Sequence, residues 1–288
     1  MTPDAFTAVT VRAADQNDLA AIAALMRPFV ARGELLSRSR QKMIELLADA
    51  FLVEAQRRAV GFAALETYSK KLSELQCLAV EETPRATEAV QAVVRACVDR
   101  ARERGVLEVM AVVPDAFELP LIACGFGLSL PQQKRALFIK PDRSRAQEEA
   151  PADTSEVTIR PASGDDLAAV VEFLAPFVTR GNLLPRSPKQ LAELLNHAFV
   201  AEGAGRIAGF AALELYSAKL AEIQCLTVDA AYQGCGVGRQ LVARCVACAR
   251  EHHVAETMAI TSQEGFLLAC GFDYCLADPK TALFLRTR

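Results

Sequence analysis

From residue 157 onward the spacing of apolar positions switches period several times, and each switch marks an element. Residues 157–161 read as a short strand. Ser163, with Asp166 three residues on, makes a capping box that opens a helix to about Phe177. Ser187-Pro188-Lys189-Gln190 is a second start signal, with serine at the N-cap, proline at the first helical position and glutamine at the third. That helix reaches about Asn196. Strands at 199–202 and 206–215 form a hairpin turned at Gly203-Ala204-Gly205. A further strand covers 220–228. A long helix over about 236–252 carries Val237, Leu241, Cys245 and Cys248 on one face. A strand at 254–260, a short helix at 264–270 and a strand at 281–285 that closes the sheet complete the pattern. The order β-α-α-β-β-β-α-β-α-β predicts an α/β fold of the α+β kind, a mixed sheet with helices on its faces.

The first half carries the same pattern. At an offset of 148, Val11-Arg12 meets Ile159-Arg160, and Gly61-Phe62-Ala63-Ala64-Leu65-Glu66 meets Gly209-Phe210-Ala211-Ala212-Leu213-Glu214. Arg38-Ser39 meets Arg186-Ser187, and Gln76-Cys77-Leu78 meets Gln224-Cys225-Leu226. A two-residue shift then aligns Cys124-Gly125-Phe126 with Cys270-Gly271-Phe272. A repeat of this length is a duplicated domain, not a solenoid. The expected division is a first domain at 1–140, a linker at 141–156 rich in Pro, Ala and charge, and a second domain at 157–288.

Composition adds constraints. With 288 residues, 52% apolar and 23% charged, each copy can bury a core of its own. A net charge of −3 gives no bulk electrostatic case for nucleic acid or an anionic membrane, so neither is expected as a partner. No apolar run approaches a membrane span, and the first residues lack the basic-then-apolar pattern of a signal peptide. The nine cysteines sit in apolar stretches and read as reduced buried thiols, which fits the cytoplasm. The one Cys-x-x-Cys spacing, Cys245 to Cys248, lies inside a predicted helix without a second pair nearby, so no metal is expected.

The strongest chemical signal is Gln233-Gly234-Cys235-Gly236-Val237-Gly238, between a strand and a helix. Glycines there let backbone N–H groups approach a pyrophosphate, and the helix N-terminus favours negative charge. The spacing is not Gly-x-Gly-x-x-Gly, which speaks against a dinucleotide-binding Rossmann site. The segment resembles the acetyl-CoA loop of the GCN5-related N-acetyltransferase (GNAT) superfamily. Ala269-Cys270-Gly271-Phe272 resembles that superfamily's closing helix-turn motif, and the resemblance covers both halves of the chain.

Within the superfamily the chain looks most like the acetyltransferase domain of N-acetylglutamate synthase. Three segments carry that likeness: Gly181-Asn182-Leu183-Leu184-Pro185-Arg186-Ser187, the stretch from Lys219 to Val228, and the stretch from Leu276 to Phe284. The amino-acid-kinase-like domain of many such synthases has no counterpart in these residues, which speaks against arginine feedback.

The resemblance implies two tandem acyl-CoA N-acyltransferase domains, acetyl-CoA as co-substrate and a small amino acid, L-glutamate first, as acceptor. It implies Glu222 as the base that takes a proton from the attacking amine. Leu226, Thr227 and Val228 would meet the cofactor through main-chain groups, polarising the thioester carbonyl as an oxyanion hole does. Arg186 and Lys219 are candidates for the acceptor's carboxylates, Arg186 through its planar fork. Lys280 and Arg288 fall where the family keeps basic substrate contacts. Glu264, with Ser262 nearby, stands where the family places a serine to protonate the leaving thiolate, so the general acid stays unassigned. His197, His252 and His253 read as surface or capping residues.

At the loop position the first copy reads Arg85-Ala86-Thr87-Glu88-Ala89-Val90, with every glycine gone and a carboxylate where phosphates would lie. It keeps Arg38, Lys71, Glu74 and Cys77. Two other readings stay open: an acetyltransferase acting on another small amine or a protein N-terminus, and an amino-acid-sensing or scaffold protein that uses the degenerate copy.

Overall fold

The computed structural model describes residues 9–130, 135–143, 157–275 and 281–287. In chain order the first copy supplies β1 (Thr10–Ala13), α1 (Leu19–Ala31), α2 (Arg40–Leu46), β2 (Ala50–Ala55), β3 (Arg58–Thr67), β4 (Leu72–Val80), α3 (Ala86–Glu103), β5 (Glu108–Val113), α4 (Glu118–Ile122) and β6 (Arg135–Ile139). The second supplies β7 (Val157–Pro161), α5 (Leu167–Thr179), α6 (Pro188–Leu194), β8 (Ala198–Gly203), β9 (Arg206–Leu215), β10 (Leu220–Val228), α7 (Val237–Glu251), β11 (Glu256–Thr261), α8 (Glu264–Ala269) and β12 (Thr281–Arg286). The mixed α/β architecture read from the pattern is the one observed.

Two compact units result. Unit 1 comprises the chain up to Leu128 and again from Tyr274; unit 2 runs from Ser129 to Asp273. In unit 1, β1 to β4 pair antiparallel in order, β4 pairs β5 in parallel, and β12 closes the sheet antiparallel to β5. In unit 2 the order is β7, β8, β9, β10, then β11 in parallel, closed by β6 antiparallel to β11. The closing strands are therefore exchanged. The strand at 281–285, read from sequence as closing the second copy's sheet, pairs Leu283 with Ala111 in unit 1. Its counterpart β6 pairs Leu137 with Ala259 in unit 2. The linker expected at 141–156 falls mostly outside the described residues.

Each sheet is covered on both faces. In unit 1, Val90, Val93, Val94 and Cys97 of α3 pack with Val53, Leu65, Leu75, Leu78 and Leu283. Ile22, Met26 and Phe29 of α1 pack with Leu52, Phe62 and Cys77 on the other face. In unit 2, Val170 and Leu174 of α5 and Leu191 of α6 meet Val200, Phe210 and Cys225.

The face assignments expose a change of phase. Leu75 and Leu78 share a face although they are three positions apart, because Cys77 takes a left-handed conformation with φ 58°. Cys225 does the same at φ 55°, where β10 bulges between Gln224 and Thr227 against β9. A bulge adds one residue to one strand and turns the side chains that follow. The bulge also marks where β10 leaves its neighbour. The parallel register with β11 covers Leu220–Ile223, and the β10 main chain from Gln224 onward has parted from it. Among the described residues, no pairing with β11 continues past Ile223.

Candidate active site

The glycine loop follows β10 and leads into α7. Gly234 and Gly236 have φ 78° and 82°, and Gly236 is the N-cap of α7. Successive residues in such conformations turn N–H groups to one side, and α7 starts with no side chain capping it, so its first-turn N–H groups are open to an anion. A Cβ at Gly238 would come 3.2 Å from the Phe266 ring of α8, so the helix start and α8 pack closely there. Cys235 is exposed in the loop, and Val237 is buried beneath it. Gln233 is exposed, and its amide Nε2 donates to the Val228 carbonyl at 3.0 Å, tying the loop to the end of β10. Of the nine expected cofactor residues, Leu226, Thr227 and Val228 line the parted edge of β10, while Gln233 to Gly238 form the loop.

In unit 1 the equivalent turn has Arg85 at the N-cap with φ −109°, and Arg85 Nη1 pairs Glu88 Oε2 at 3.4 Å in the first turn of α3. An ordinary side-chain-bearing helix start with its own carboxylate replaces the amide cradle.

Glu222 lies on the β10 face towards α5 and α6, one turn of the pleat before the bulge. Tyr216 Oη donates to Glu222 Oε2 at 2.6 Å, and Gln224 Nε2 donates to the same oxygen at 3.0 Å. Burial pushes the Glu222 carboxyl above the usual carboxylate range; these two hydrogen bonds and the positive charge of Arg186 act the other way and do not cancel it. A carboxylate so raised is a stronger base than an exposed one. Sequence reasoning found Glu222 and passed over Tyr216 and Gln224. The signal was present as Tyr-x5-Glu-x-Gln in both copies, at Tyr68, Glu74 and Gln76 and again at Tyr216, Glu222 and Gln224.

The two copies differ beside that cluster. In unit 1, Lys42 Nζ pairs Glu66 Oε1 at 2.5 Å, Gln76 Nε2 donates to Glu66 Oε2 at 2.8 Å, and Arg38 Nη2 donates to Gln76 Oε1 at 3.0 Å. In unit 2 the lysine is Gln190, whose side chain is taken up in the α6 cap, accepting from the Ser187 N–H at 2.8 Å. Gln224 Oε1 and Arg186 Nε are then buried without a hydrogen-bond partner among the described residues. Arg38 Nε is in the same condition in unit 1, but the glutamine oxygen there is satisfied. Lys219 is exposed in the turn before β10, where its N–H donates to Ser217 Oγ at 3.1 Å. Lys280 and Arg288 lie outside the described residues. Ser262 is exposed and Glu264 opens α8.

Comparison with known proteins identifies the family. A family model described as an acetyltransferase (GNAT) domain matches residues 195–274. An N-acetyltransferase of Chlorobaculum tepidum, named as uncharacterized, is 30% identical over 118 residues, covering 41% of this chain and 76% of that protein. The chain belongs to the GNAT family of acetyltransferases. An amino-acid acetyltransferase of Ralstonia nicotianae is 32% identical over 122 residues, 42% of this chain, and the match spans only 27% of that longer relative. A solved GCN5-related N-acetyltransferase from Sphaerobacter thermophilus shares the fold over 97% of this chain and 96% of its own, with a TM-score of 0.50 at 16% identity. As a GNAT enzyme the protein is an acetyl-CoA-dependent acyltransferase, and acetyl-CoA is its co-substrate. Among the described residues no helix is long and apolar enough to cross a membrane.

Proposed function

We propose that unit 2 transfers an acetyl group to the α-amino group of a small amino acid bearing a side-chain carboxylate, L-glutamate first. Acetyl-CoA supplies the thioester. The glycine loop and the open start of α7 hold its phosphates, and the main chain of Leu226, Thr227 and Val228 accepts it along the parted edge of β10. Glu222 takes a proton from the incoming ammonium, so that the neutral amine attacks the thioester carbon, the C–N bond forms, the C–S bond breaks and CoA leaves as a thiolate that takes up the second amine proton through solvent. Tyr216 and Gln224 hold the Glu222 carboxylate in place.

The observation that carries the acceptor is the pair of unpartnered buried atoms, Gln224 Oε1 and Arg186 Nε, beside Glu222. An unsatisfied buried polar atom costs about 1–3 kcal/mol, and an amino acid brings both complements: an ammonium to donate to the glutamine oxygen and a carboxylate to accept from the guanidinium. The likeness to an amino-acid acetyltransferase supports the same class.

The test is CoA release across a panel of amines and amino acids, with thermal shifts recorded on the same samples. Turnover highest with glutamate or aspartate supports the proposal. Turnover confined to neutral amines or to peptide N-termini overturns the acceptor class. Stabilisation by an amino acid with no turnover would make the protein a sensor instead.

A further inference from the structure

Three side chains of unit 2 that acetyl transfer does not use converge at the C-terminal end of α7. His197 ends the turn before β8, Cys248 lies in the last turns of α7, and His252 follows it at the helix end. One ligand atom of each lies within 4.8 Å of the others. Cys248 Sγ is 3.9 Å from His197 Nδ1, and the two imidazoles meet edge to face with centroids 4.7 Å apart. Cys248 and His252 are four residues apart, on one side of the helix. Glu251 beside Cys248 and Glu214 beside His197 make the surroundings negative.

The repeat supplies a second observation. At an offset of 148 the three positions are Asp49, Arg100 and Arg104. There Asp49 Oδ1 accepts from Arg100 Nη1 at 3.0 Å and from Arg104 Nη2 at 2.7 Å, pinning the turn before β2 to α3. Unit 2 has the same joint and none of these charges. Among the described residues, the thiol and two imidazoles hold each other through a 3.9 Å contact and a ring edge. They are, however, the donor set that soft and borderline divalent cations prefer.

We propose that His197, Cys248 and His252 bind a thiophilic divalent cation, Zn²⁺ foremost, which pins the turn before β8 to α7 as the ion pairs do in unit 1. Zn–S bonds of about 2.3 Å and Zn–N bonds of about 2.0–2.1 Å place tetrahedral ligand atoms about 3.5 Å apart. The site closes by about an ångström from its present spacing, and His252, exposed at the helix end, supplies the movement. Water completes the fourth position. Binding drives the Cys248 proton to solvent, so proton release accompanies ion uptake.

The experiment uses the full chain, stripped with chelator and titrated with Co²⁺ and then Zn²⁺. The expected result is one Co²⁺ per chain with a thiolate-to-cobalt charge-transfer band, proton release, displacement of the band by Zn²⁺, and a higher Tm with Zn²⁺. Cys248→Ser should abolish the band and the Tm gain, and Cys124→Ser in unit 1 should keep both. Should Cys248→Ser fail to fold, His252→Asn at the exposed ligand gives the same reading, as loss of stoichiometric binding. A wild-type chain without a thiolate band, or a band that survives both Cys248→Ser and His252→Asn, overturns the proposal.

Discussion

Glu222 accepts hydrogen bonds from Tyr216 and Gln224 and still titrates above the usual range, because burial outweighs both. A folded carboxyl that holds its proton more tightly than the unfolded chain does stabilises the fold fully below the unfolded pKa. That contribution is lost as pH rises through the folded value. At neutral pH the ionised group is thus a cost to the fold and a gain to the chemistry. Glu222→Gln should lower kcat about 10²- to 10⁴-fold while Tm at pH 7 falls no lower than wild type. The acidic limb of the pH–rate profile, which rises with pH as the base ionises, should flatten. Glu74→Gln, in the unit without a glycine loop, should leave the rate unchanged; steady-state rates of all three proteins across pH decide the matter.

Arg186→Ala should raise KM for glutamate by roughly 10- to 150-fold, the equivalent of a charge-assisted bond of about 1.5–3 kcal/mol, with KM for acetyl-CoA little changed. An unaltered KM for glutamate would remove Arg186 from the acceptor site. Glu222 and Arg186 were visible in the sequence because their residue types suit the chemistry. Gln224 was not, because an uncharged amide gives no acid–base or ion-pair signal of its own. What distinguishes the copies is Gln190 in place of Lys42, and its effect appears only when the Lys42–Glu66 pair is seen to close the other cluster. The His197, Cys248 and His252 group was hidden for a related reason. Inspection of the Cys245–Cys248 spacing cannot find a ligand 51 residues upstream.

At the scale of elements, the proposed reading has the loop and the bulge together place acetyl-CoA. Gly236 stands at φ 82°, where an L side chain costs roughly 1–2 kcal/mol, and a carboxylate there would face the phosphates. Gly236→Glu should abolish acetyl-CoA binding in a calorimetric titration while the circular dichroism spectrum stays that of a folded protein. Near-normal affinity would take the loop out of the site. The wild type should show one cofactor site per chain, since only unit 2 has the loop. Element positions were largely legible: α6 begins after Ser187 with Pro188 at its start and the Gln190 box formed, and β9 and β10 fall where the pattern puts them. The bulge was not legible. Gln224 to Val228 reads as unbroken strand, and nothing in residue type announces that Cys225 will turn left-handed.

At the scale of the whole molecule, the exchange of closing strands makes each unit depend on residues from the other stretch of chain. Ala282-Leu283-Phe284-Leu285 and Ala136-Leu137-Phe138-Ile139 present nearly the same side chains, so either could close either sheet, and sequence alone cannot choose. Leu283 and Leu137 are both fully buried. Leu283→Ala should cost about 2–5 kcal/mol and lower hydrogen-exchange protection in α3 and β5, leaving α7 protected. Leu137→Ala should do the reverse, weakening the unit that carries the glycine loop. Protection lost from α7 in Leu283→Ala would contradict the exchange.

The exchange also sets an order of birth. A ribosome finishes every strand of unit 2 by residue 261, yet unit 1 still lacks β12. Domains commonly fold from the N-terminus as they emerge, at roughly 5–20 residues per second. Here the half translated first is completed last, after a wait on the order of ten seconds. Through that interval β5 offers an unpaired edge, the kind of surface nascent chains use to find wrong partners.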